Sequence, residues 1–215
     1  MSGNRRRGRS DEYWSNSPRL GWGDVPHSVA PYVPTPQNIV NRMLKLSGAG
    51  PDDVVYDLGC GDGRILITAV EEFEVKKAVG YDLNPTMCGN VQVKVDERGL
   101  ADRIEIVNGN FFLADLSQAS VVTLYLTTSG NTKLKPKLEK ELRPGARVVS
   151  HDFPIRGWET VKNDPPDHYI VGSHKIYVYE VPCSYDAKTS IPRTEEEDSR
   201  WKRIRDLFLR SEGEA

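Results

Sequence analysis

The chain has 215 residues, a formal net charge of −2 and 38% hydrophobic residues, which suits one well-packed domain and is short for two. This near balance of charge gives no overall field that would attract nucleic acid. No stretch approaches the roughly 18 consecutive apolar residues of a membrane helix, so the sequence predicts a soluble protein. Three cysteines without metal-ligand spacing argue against a disulfide framework and predict a reducing, cytoplasmic setting.

The first segment, 1–26, is polar and contains the basic run Arg5–Arg7. A segment of this composition buries too little apolar surface to fold alone, so we expect it to be disordered. Its arginines suit a phosphate backbone, but a solvated tail is the favoured interpretation. The predicted domain covers 27–183, and its first helix is expected near 36–46 with Thr35 as the N-cap residue.

A glycine-rich turn is the strongest local signal in the chain. An apolar run ending in Asp57 is followed by Gly59, Gly61 and Gly63, and the residues after Arg64 have helical apolar spacing. We therefore predict a strand, a tight turn and a helix, with glycines that let a ligand approach the main chain. The turn lacks the lysine of a P-loop, which makes ATP or GTP hydrolysis an unfavoured interpretation.

The charge of the turn indicates which nucleotide it binds. A dinucleotide site has the pattern G-x-G-x-x-G, whereas this turn reads G-x-G-x-G and carries Asp57 and Asp62 beside it. Two carboxylates would repel a pyrophosphate and attract a cation. S-adenosylmethionine is nucleoside-like and carries both a sulfonium and an ammonium group, so it is the predicted ligand. For the glycines alone, an ordinary structural turn is the alternative.

Polar residues also follow the next two predicted strands. Asp82 ends a strand where, in a βαβ unit, it would accept hydrogen bonds from both ribose hydroxyls, and the alternative is a cap for the helix near Pro85. Asn110 and Phe111 follow the third strand, and an amide beside a ring suits the edge and the face of an adenine. A core position is the alternative for Phe111 and the favoured one for Phe112.

The other segments alternate as in an α/β fold. We predict strands near 53–57, 77–82, 103–107, 120–125 and 145–150, and helices near 62–73, 85–98 and 131–142. Two apolar segments, 168–171 and 175–181, are separated by a Gly-Ser turn and predict a hairpin. The last segment, 184–215, predicts a linker and an amphipathic helix that packs on the domain or binds a partner.

Four motifs in this order carry a resemblance to a known family: DLGCGDG (57–63), YDLN (81–84), GNFF (109–112) and VVTLYL (121–126). This order is similar to that of the class I, seven-strand methyltransferases, which use S-adenosylmethionine. Two more segments, YVPTP before the fold and SHDFPIRGW after the fifth strand, resemble the archaeal protein-lysine methyltransferases of broad specificity. Relatives of those enzymes include mitochondrial lysine methyltransferases.

The resemblance implies a Rossmann-like, doubly wound, mostly parallel sheet of seven strands with a C-terminal antiparallel hairpin. It implies methyl transfer from S-adenosyl-L-methionine to lysine side chains of proteins, DNA-associated proteins among them. Tyr125, at the end of the fourth strand, would position the acceptor, although packing is the alternative. The residues expected to bind the cofactor are Tyr32, Thr35, Asp57, Gly59, Gly61, Asp82, Asn110 and Phe111.

Other interpretations stay open at this point. The segment around Tyr125 lacks the Asn/Asp-Pro-Pro-Tyr/Phe motif of enzymes that methylate bases, which disfavours that activity. An RNA or small-molecule methyltransferase is the second hypothesis, and an inactive cofactor-binding module is the third. His151 and Asp152 are interpreted as a structural pair, so no metal is expected.

Overall fold

The computed structural model describes residues 32–162 and 165–185. In chain order, its helices are α1 (Gln37–Leu46), α2 (Arg64–Glu71), α3 (Pro85–Glu97) and α4 (Thr128–Glu141). The strands are β1 (Val54–Leu58), β2 (Lys77–Asp82), β3 (Ile104–Asn108), β4 (Val121–Leu124), β5 (Arg147–His151), β6 (Tyr169–Val171) and β7 (His174–Glu180). A short 3-10 helix, Phe111–Leu113, follows β3.

The strands form one sheet in the order β3-β2-β1-β4-β5-β7-β6. The five strands from β3 to β5 are parallel, and β7 pairs antiparallel with both β5 and β6. The predicted doubly wound sheet with a C-terminal hairpin is therefore confirmed. The strand order reverses between β1 and β4, which is where an open α/β sheet forms a ligand crevice beyond the carboxyl ends of its strands.

The central strands are buried on both faces, as their nearly continuous apolar sequences predict. Alternate residues point to opposite faces, so Tyr56 of β1 packs in the cluster that contains α4, while Val55 packs in the cluster that contains α2 and α3. A third cluster joins Ile39 and Met43 of α1 to Val149 of β5 and to the hairpin. The helices thus cover both sides of the sheet and leave the carboxyl ends of β1, β2 and β4 for the site.

Three helix starts differ from the prediction by one to three residues, and the caps explain two of them. Pro36, not Thr35, is the N-cap residue of α1, because Pro36 has an extended backbone (ψ 145°) and the Thr35 side chain is directed to the interior instead. α4 begins about three residues earlier than expected, because the Thr127 hydroxyl accepts a hydrogen bond from the backbone NH of Gly130 and caps it. Sequence periodicity does not detect a cap of this kind.

The two terminal segments lie almost entirely outside the residues that the structure describes. The tail 1–26 lies outside the described residues, and so does 186–215, which holds the predicted C-terminal helix. The domain boundaries therefore stay predictions. Among the helices that the structure describes, none is both long enough and apolar enough to cross a membrane.

Gly63, at the start of α2, gives a direct test of how closely α2 and α3 pack. Its φ is +77°, and a Cβ built there would lie 2.4 Å from Val91 Cγ1 of α3. Gly63→Ala should therefore lower the free energy of unfolding by about 2–4 kcal/mol, since it adds a clash to left-handed backbone strain. Urea unfolding measures this. Gly99→Ala is the matched control, because Gly99 also has a positive φ (+67°) but has open space around it; it should cost about 1–2 kcal/mol. Equal losses for the two variants would contradict the packing argument.

Candidate functional site

A cavity of about 320 Å³ lies at the carboxyl ends of β1, β2 and β4. The first residues after these strands supply its walls, and the segment before α1 covers one side. All nine residues singled out from the sequence line it, which brings together positions far apart in the chain. They are Tyr32, Thr35, Asp57, Gly59, Gly61, Asp82, Asn110, Phe111 and Tyr125.

The glycine turn is fixed to the end of β2. The backbone NH groups of Gly59 and Cys60 both donate to the carbonyl oxygen of Tyr81, each at 2.9 Å. The backbone NH of Gly61 donates to Asp82 Oδ2 at 2.9 Å. The ring of Tyr32 covers Gly61 so closely that a Cβ built there would lie 2.7 Å from its Cε2 atom. The φ of +53° favours glycine at this position, and a larger residue would also displace the Tyr32 ring.

Asp57 is a buried acid at the floor of the cavity. Only 4% of the residue is exposed, and its Oδ1 accepts a hydrogen bond from Thr123 Oγ1 at 2.8 Å. Burial raises the pKa of the Asp57 carboxyl to about 7, although the Thr123 hydrogen bond opposes this shift. The carboxyl is therefore poised to ionise near neutral pH, and a cation placed beside it would favour the ionised form.

Asp82 is the second acid of the cavity. Its Oδ2 accepts the NH of Gly61, and its Oδ1 accepts the NH of Asn84 at 2.8 Å. The alternative role of helix cap belongs to Asn84 instead, whose side chain accepts from the NH groups of Thr86 and Met87. Asp82 thus shapes the turn and still presents its carboxylate to the cavity.

Asp62 does not act as the second attracting carboxylate that the sequence suggested. Its Oδ2 lies 2.6 Å from Arg64 Nη2, and Arg64 Nε donates to Oδ1 at 2.9 Å. These hydrogen bonds from the guanidinium hold the pKa of the Asp62 carboxyl below its usual range. The charge of Asp62 is therefore balanced by Arg64, which leaves Asp57 and Asp82 as the acids that can attract a cation.

Arg64 has a further contact that sequence reasoning missed. Its Nη1 donates to the backbone carbonyl of Thr35 at 2.8 Å, which ties the segment before α1 to the glycine turn. In that segment Tyr32 and Val33 are 54% and 51% exposed, while Thr35 is buried. Tyr32 and Val33 thus form an exposed rim beside the cavity, while Arg64 holds Thr35 in place.

Cys60 lies inside the glycine turn and is buried. A Cβ built at Gly80 of β2 would lie 2.9 Å from its Sγ, so the side chain fills the space between turn and sheet. Burial raises the pKa of the Cys60 thiol, which keeps it protonated and a poor nucleophile. This agrees with the interpretation of Cys60 as a space-filling residue.

The sequence favoured a core position for Phe112 and a ligand contact for Phe111, but the observed burial of the two residues is the reverse. Phe111 is buried in the core cluster that contains α4, whereas Phe112 is only partly buried against it. Both rings line the cavity, with their centroids 4.8 Å apart. Asn110 caps the 3-10 helix, because its Oδ1 accepts the NH of Phe112 at 3.0 Å. The cap turns Phe111 inward, which residue spacing alone did not reveal.

Tyr125 forms the opposite wall, directly after β4. Its ring centroid lies 3.8 Å from that of His151, and its hydroxyl donates to Asp152 Oδ2 at 3.5 Å. Partial burial and the nearby Asp152 charge raise the pKa of the Tyr125 phenol, so it stays protonated at neutral pH. The cavity is therefore lined by acids, by glycines and by the phenol of Tyr125.

The structural pair expected at His151 and Asp152 is part of a larger group. His174, on β7, places its Nδ1 2.9 Å from His151 Nε2 and 3.0 Å from Asp152 Oδ2. Burial lowers the pKa of His151 to about 4, although Asp152 opposes this shift. Sequence reasoning missed His174, because only the antiparallel register of β7 against β5 brings it here. The three side chains have atoms within 4.8 Å of one another, as a metal site would.

Comparison with known proteins adds the following. The family model described as the ANTKMT methyltransferase domain matches residues 57–162. A protein-lysine N-methyltransferase of Saccharolobus islandicus (strain REY15A) is 51% identical over 160 residues, which cover 70% of this chain and 98% of that protein. The adenine nucleotide translocase lysine N-methyltransferase of Mus musculus is 30% identical, with 78% of this chain and 71% of that protein covered.

One solved structure is also similar. It is described as an RNA methyltransferase from Salinibacter ruber in complex with S-adenosyl-L-homocysteine. It is 41% identical, has a TM-score of 0.63, and the match covers 70% of this chain and 94% of that one. The cofactor product bound there agrees with the ligand that the glycine turn predicts.

The raised pKa of Asp57 predicts how stability changes with pH. The unfolded carboxyl has a pKa of about 3.9, and the folded one a pKa of about 7. The contribution of this group to stability is therefore complete below about pH 4 and is lost as pH rises towards 7. Asp57→Asn keeps an acceptor for Thr123 but cannot ionise. Its free energy of unfolding, relative to wild type, should rise by up to about 1.4 kcal/mol per pH unit between pH 5 and 7.

Denaturant unfolding at pH 5, 6 and 7 measures this difference in the protein without ligand. Asp102→Asn is the control, because Asp102 is an exposed acid in the turn before β3. Its difference from wild type should be constant over the same range. A constant difference for Asp57→Asn as well would contradict the burial argument.

Proposed function

The chain belongs to the class I, S-adenosylmethionine-dependent protein-lysine N-methyltransferases, and from this premise we propose how its residues bind the cofactor and the acceptor. The enzyme transfers a methyl group from S-adenosylmethionine to the side-chain amine of lysine residues in proteins. The observation that carries this conclusion is the 51% identity to the Saccharolobus islandicus enzyme over nearly all of that protein. The cofactor and the activity predicted from the sequence are thereby confirmed.

We propose that Asp82 accepts hydrogen bonds from the ribose hydroxyls of the cofactor. A carboxylate has about four acceptor positions, and the NH groups of Gly61 and Asn84 occupy only two of them. Asp57 lies deeper, and its carboxyl becomes ionised when the cofactor brings positive charge beside it. Tyr32 and Thr35 cover the methionine end, and Gly59 and Gly61 let the ligand contact the backbone.

The adenine would lie between the end of β2 and the residues after β3. Because the Asn110 Oδ1 atom is already used as a helix cap, we assign base recognition to its NH2 group, which can donate to a ring nitrogen. Phe111 is buried and Phe112 is only partly buried, but both line the cavity, so both rings are proposed to pack against the base.

Tyr125 is proposed to position the acceptor amine. Methyl transfer from a sulfonium is an in-line displacement, so the enzyme mainly has to hold donor and acceptor in contact and exclude water. A protonated phenol can accept a hydrogen bond from an amine without adding a fixed charge. The ring of Tyr125 is held by His151 and Phe153, with centroid distances of 3.8 and 6.3 Å, which supports a fixed orientation.

The protein substrates are proposed to be those with exposed lysines, and DNA-associated proteins are the first class to test. The exposed Tyr32 and Val33 at the rim offer apolar contact for the chain around the target lysine. We also propose a cytoplasmic setting, on the basis of the odd number of cysteines and the protonated, buried thiols of Cys60 and Cys88.

RNA methylation is the second candidate, and the description of the Salinibacter ruber structure is the observation that favours it. The net charge of −2 does not support it, since RNA binding generally needs a basic surface. The basic run Arg5–Arg7 would have to supply the phosphate contacts, and it lies outside the described residues. Lysine methylation therefore remains the leading activity.

Asp82→Asn tests the proposed cofactor site. Loss of a charged acceptor facing the ribose should weaken S-adenosyl-L-homocysteine binding about 10- to 100-fold, as expected for one charge-assisted hydrogen bond. Titration calorimetry measures this, with Asp102→Asn as a charge-matched control that should bind like wild type. Unchanged affinity in Asp82→Asn would rule out the ribose role.

A labelling experiment tests the class of acceptor. Purified enzyme is incubated with methyl-labelled S-adenosylmethionine and a cell lysate, with separate nuclease and protease treatments. Label should enter protein, survive nuclease and map to lysine by mass spectrometry, and a variant lacking 1–25 should label as well as wild type. Label that nuclease removes, with binding that falls steeply as salt increases, would transfer the assignment to RNA.

A further inference from the structure

We propose that Asp152 and His174 form a proton relay that takes the proton of the acceptor lysine from Tyr125 to solvent. This inference rests on the proposed role of Tyr125 in positioning the acceptor. It assigns a function to a group of side chains that cofactor binding does not use. The relay residues contact neither cofactor nor methyl group, so they act through Tyr125 as positioning residues.

The reaction needs such a path because the amine must be neutral to attack. An unperturbed lysine has a pKa of about 10.4, so nearly all of it is protonated at neutral pH. The positive sulfonium of the donor and partial burial both favour release of the proton. Released inside a cavity that excludes water, the proton needs an acceptor within hydrogen-bond reach and a route outward.

The contacts make a continuous route. The Tyr125 hydroxyl lines the cavity and lies 3.5 Å from Asp152 Oδ2, which lies 3.0 Å from His174 Nδ1. The His174 side chain is 29% exposed, so its ring reaches solvent. The route therefore begins at the cavity and ends at the partly exposed ring of His174, the first residue of β7.

The backbone holds Asp152 in place for this task. Its φ is +58°, a left-handed conformation that is uncommon for residues other than glycine. The NH of Lys175 donates to Asp152 Oδ1 at 2.8 Å, and the NH of Asp152 donates to the Lys175 carbonyl oxygen at 2.7 Å. These bonds leave Oδ2 for Tyr125 and His174. Strained backbone that is held in this way is concentrated at functional sites.

His151 orients the relay and stays neutral. It is fully buried, and its Nδ1 lies 3.3 Å from Thr35 Oγ1 while its Nε2 faces His174 at 2.9 Å. The titratable groups facing His174 are then Asp152 and His151 from the end of β5 and Tyr125 from the end of β4. The β6 residue paired with His174 is the apolar Val171. Asp152 is the acid among these, and its Oδ2 lies 3.0 Å from His174 Nδ1.

The step balances as a single proton transfer before methylation. An N–H bond of the lysine ammonium breaks as the Tyr125 oxygen takes that proton. The phenol proton passes through Asp152 to His174, whose second ring nitrogen loses a proton to water. The neutral amine then attacks, its N–C bond forms and the S–CH3 bond of the donor breaks. The products are a methylated ammonium, S-adenosylhomocysteine and one proton in solvent.

A metal ion is the competing use of this cluster. The three ligand-type atoms are close enough to share an ion, yet they already satisfy one another by hydrogen bonds. A test of the relay must therefore include removal of metal.

The experiment compares His174→Gln with His168→Gln in the full chain. His168 is a matched control, because it directly precedes β6 of the same hairpin and its Nδ1 lies 2.9 Å from Asp167 Oδ1, outside the relay contacts. The acceptor is a synthetic peptide whose sequence surrounds the lysine that the wild-type enzyme labels. kcat and KM are measured from pH 6.5 to 9.5, and cofactor affinity is measured by calorimetry to verify folding.

In His174→Gln, kcat should fall about 100-fold or more near pH 7, as is typical for loss of a proton-transfer group. KM and cofactor affinity should stay near the wild-type values, and the loss of kcat should shrink as pH rises, because hydroxide then deprotonates the lysine. His168→Gln should follow wild type. Tyr125→Phe, which interrupts the same route, should give the same change in pH profile, and the double variant should be no worse than either single one.

Three results would overturn the relay. A loss of kcat that is equal at every pH would indicate a structural role only, and wild-type kinetics in His174→Gln would show that no relay is needed. Loss of wild-type activity with a chelator, restored by Zn²⁺, would assign the cluster to a metal. Failure of the wild-type enzyme to label any lysine peptide would instead contradict the proposed function, so the two failures are distinguishable.

Discussion

The pairing of β1 with β2 on one side and β4 on the other determines where chemistry takes place in this enzyme. All three strands are parallel, so their carboxyl ends meet at one edge of the sheet, and the chain leaves that edge in opposite directions on either side of β1. Asp57, Asp82 and Tyr125 are brought together by this arrangement. Without the reversal of strand order, the same residues would lie at separate strand ends with no crevice between them.

The sequence predicted the parts of the site that depend on local rules. Glycines at positive φ, acids at strand ends and alternating apolar segments are each encoded within a few residues, which is why Asp57, Gly61 and Asp82 were identified. The hairpin was also identifiable, because a Gly-Ser turn separates two strand-like segments. These features need no knowledge of what lies elsewhere in the chain.

The features that the sequence did not predict are side-chain contacts that residue spacing does not show, both within a turn and between distant segments. Arg64 pairs with Asp62 and reaches the carbonyl of Thr35, which changes the charge of the turn. His174 meets Asp152 only through the register of β7 against β5. The burial of Phe111 depends on an Asn110 cap that spacing does not show. In each case a partner remote in sequence, or a hydrogen bond to the backbone, determines the outcome.

The proposed roles divide the sheet at the boundary between β1 and β4. The proposed cofactor residues at the ends of β1, β2 and β3 all come from the half of the sheet that precedes β4 in the chain, whereas Tyr125, Asp152 and His174 come from the half that starts with β4. The two halves share only the strand pair β1–β4 within the sheet. With these proposed roles, segments from β4 onward can be exchanged to change how the acceptor is positioned while the donor residues after β1, β2 and β3 stay unchanged, and the exposed Tyr32 and Val33 remain as an acceptor contact in the first half.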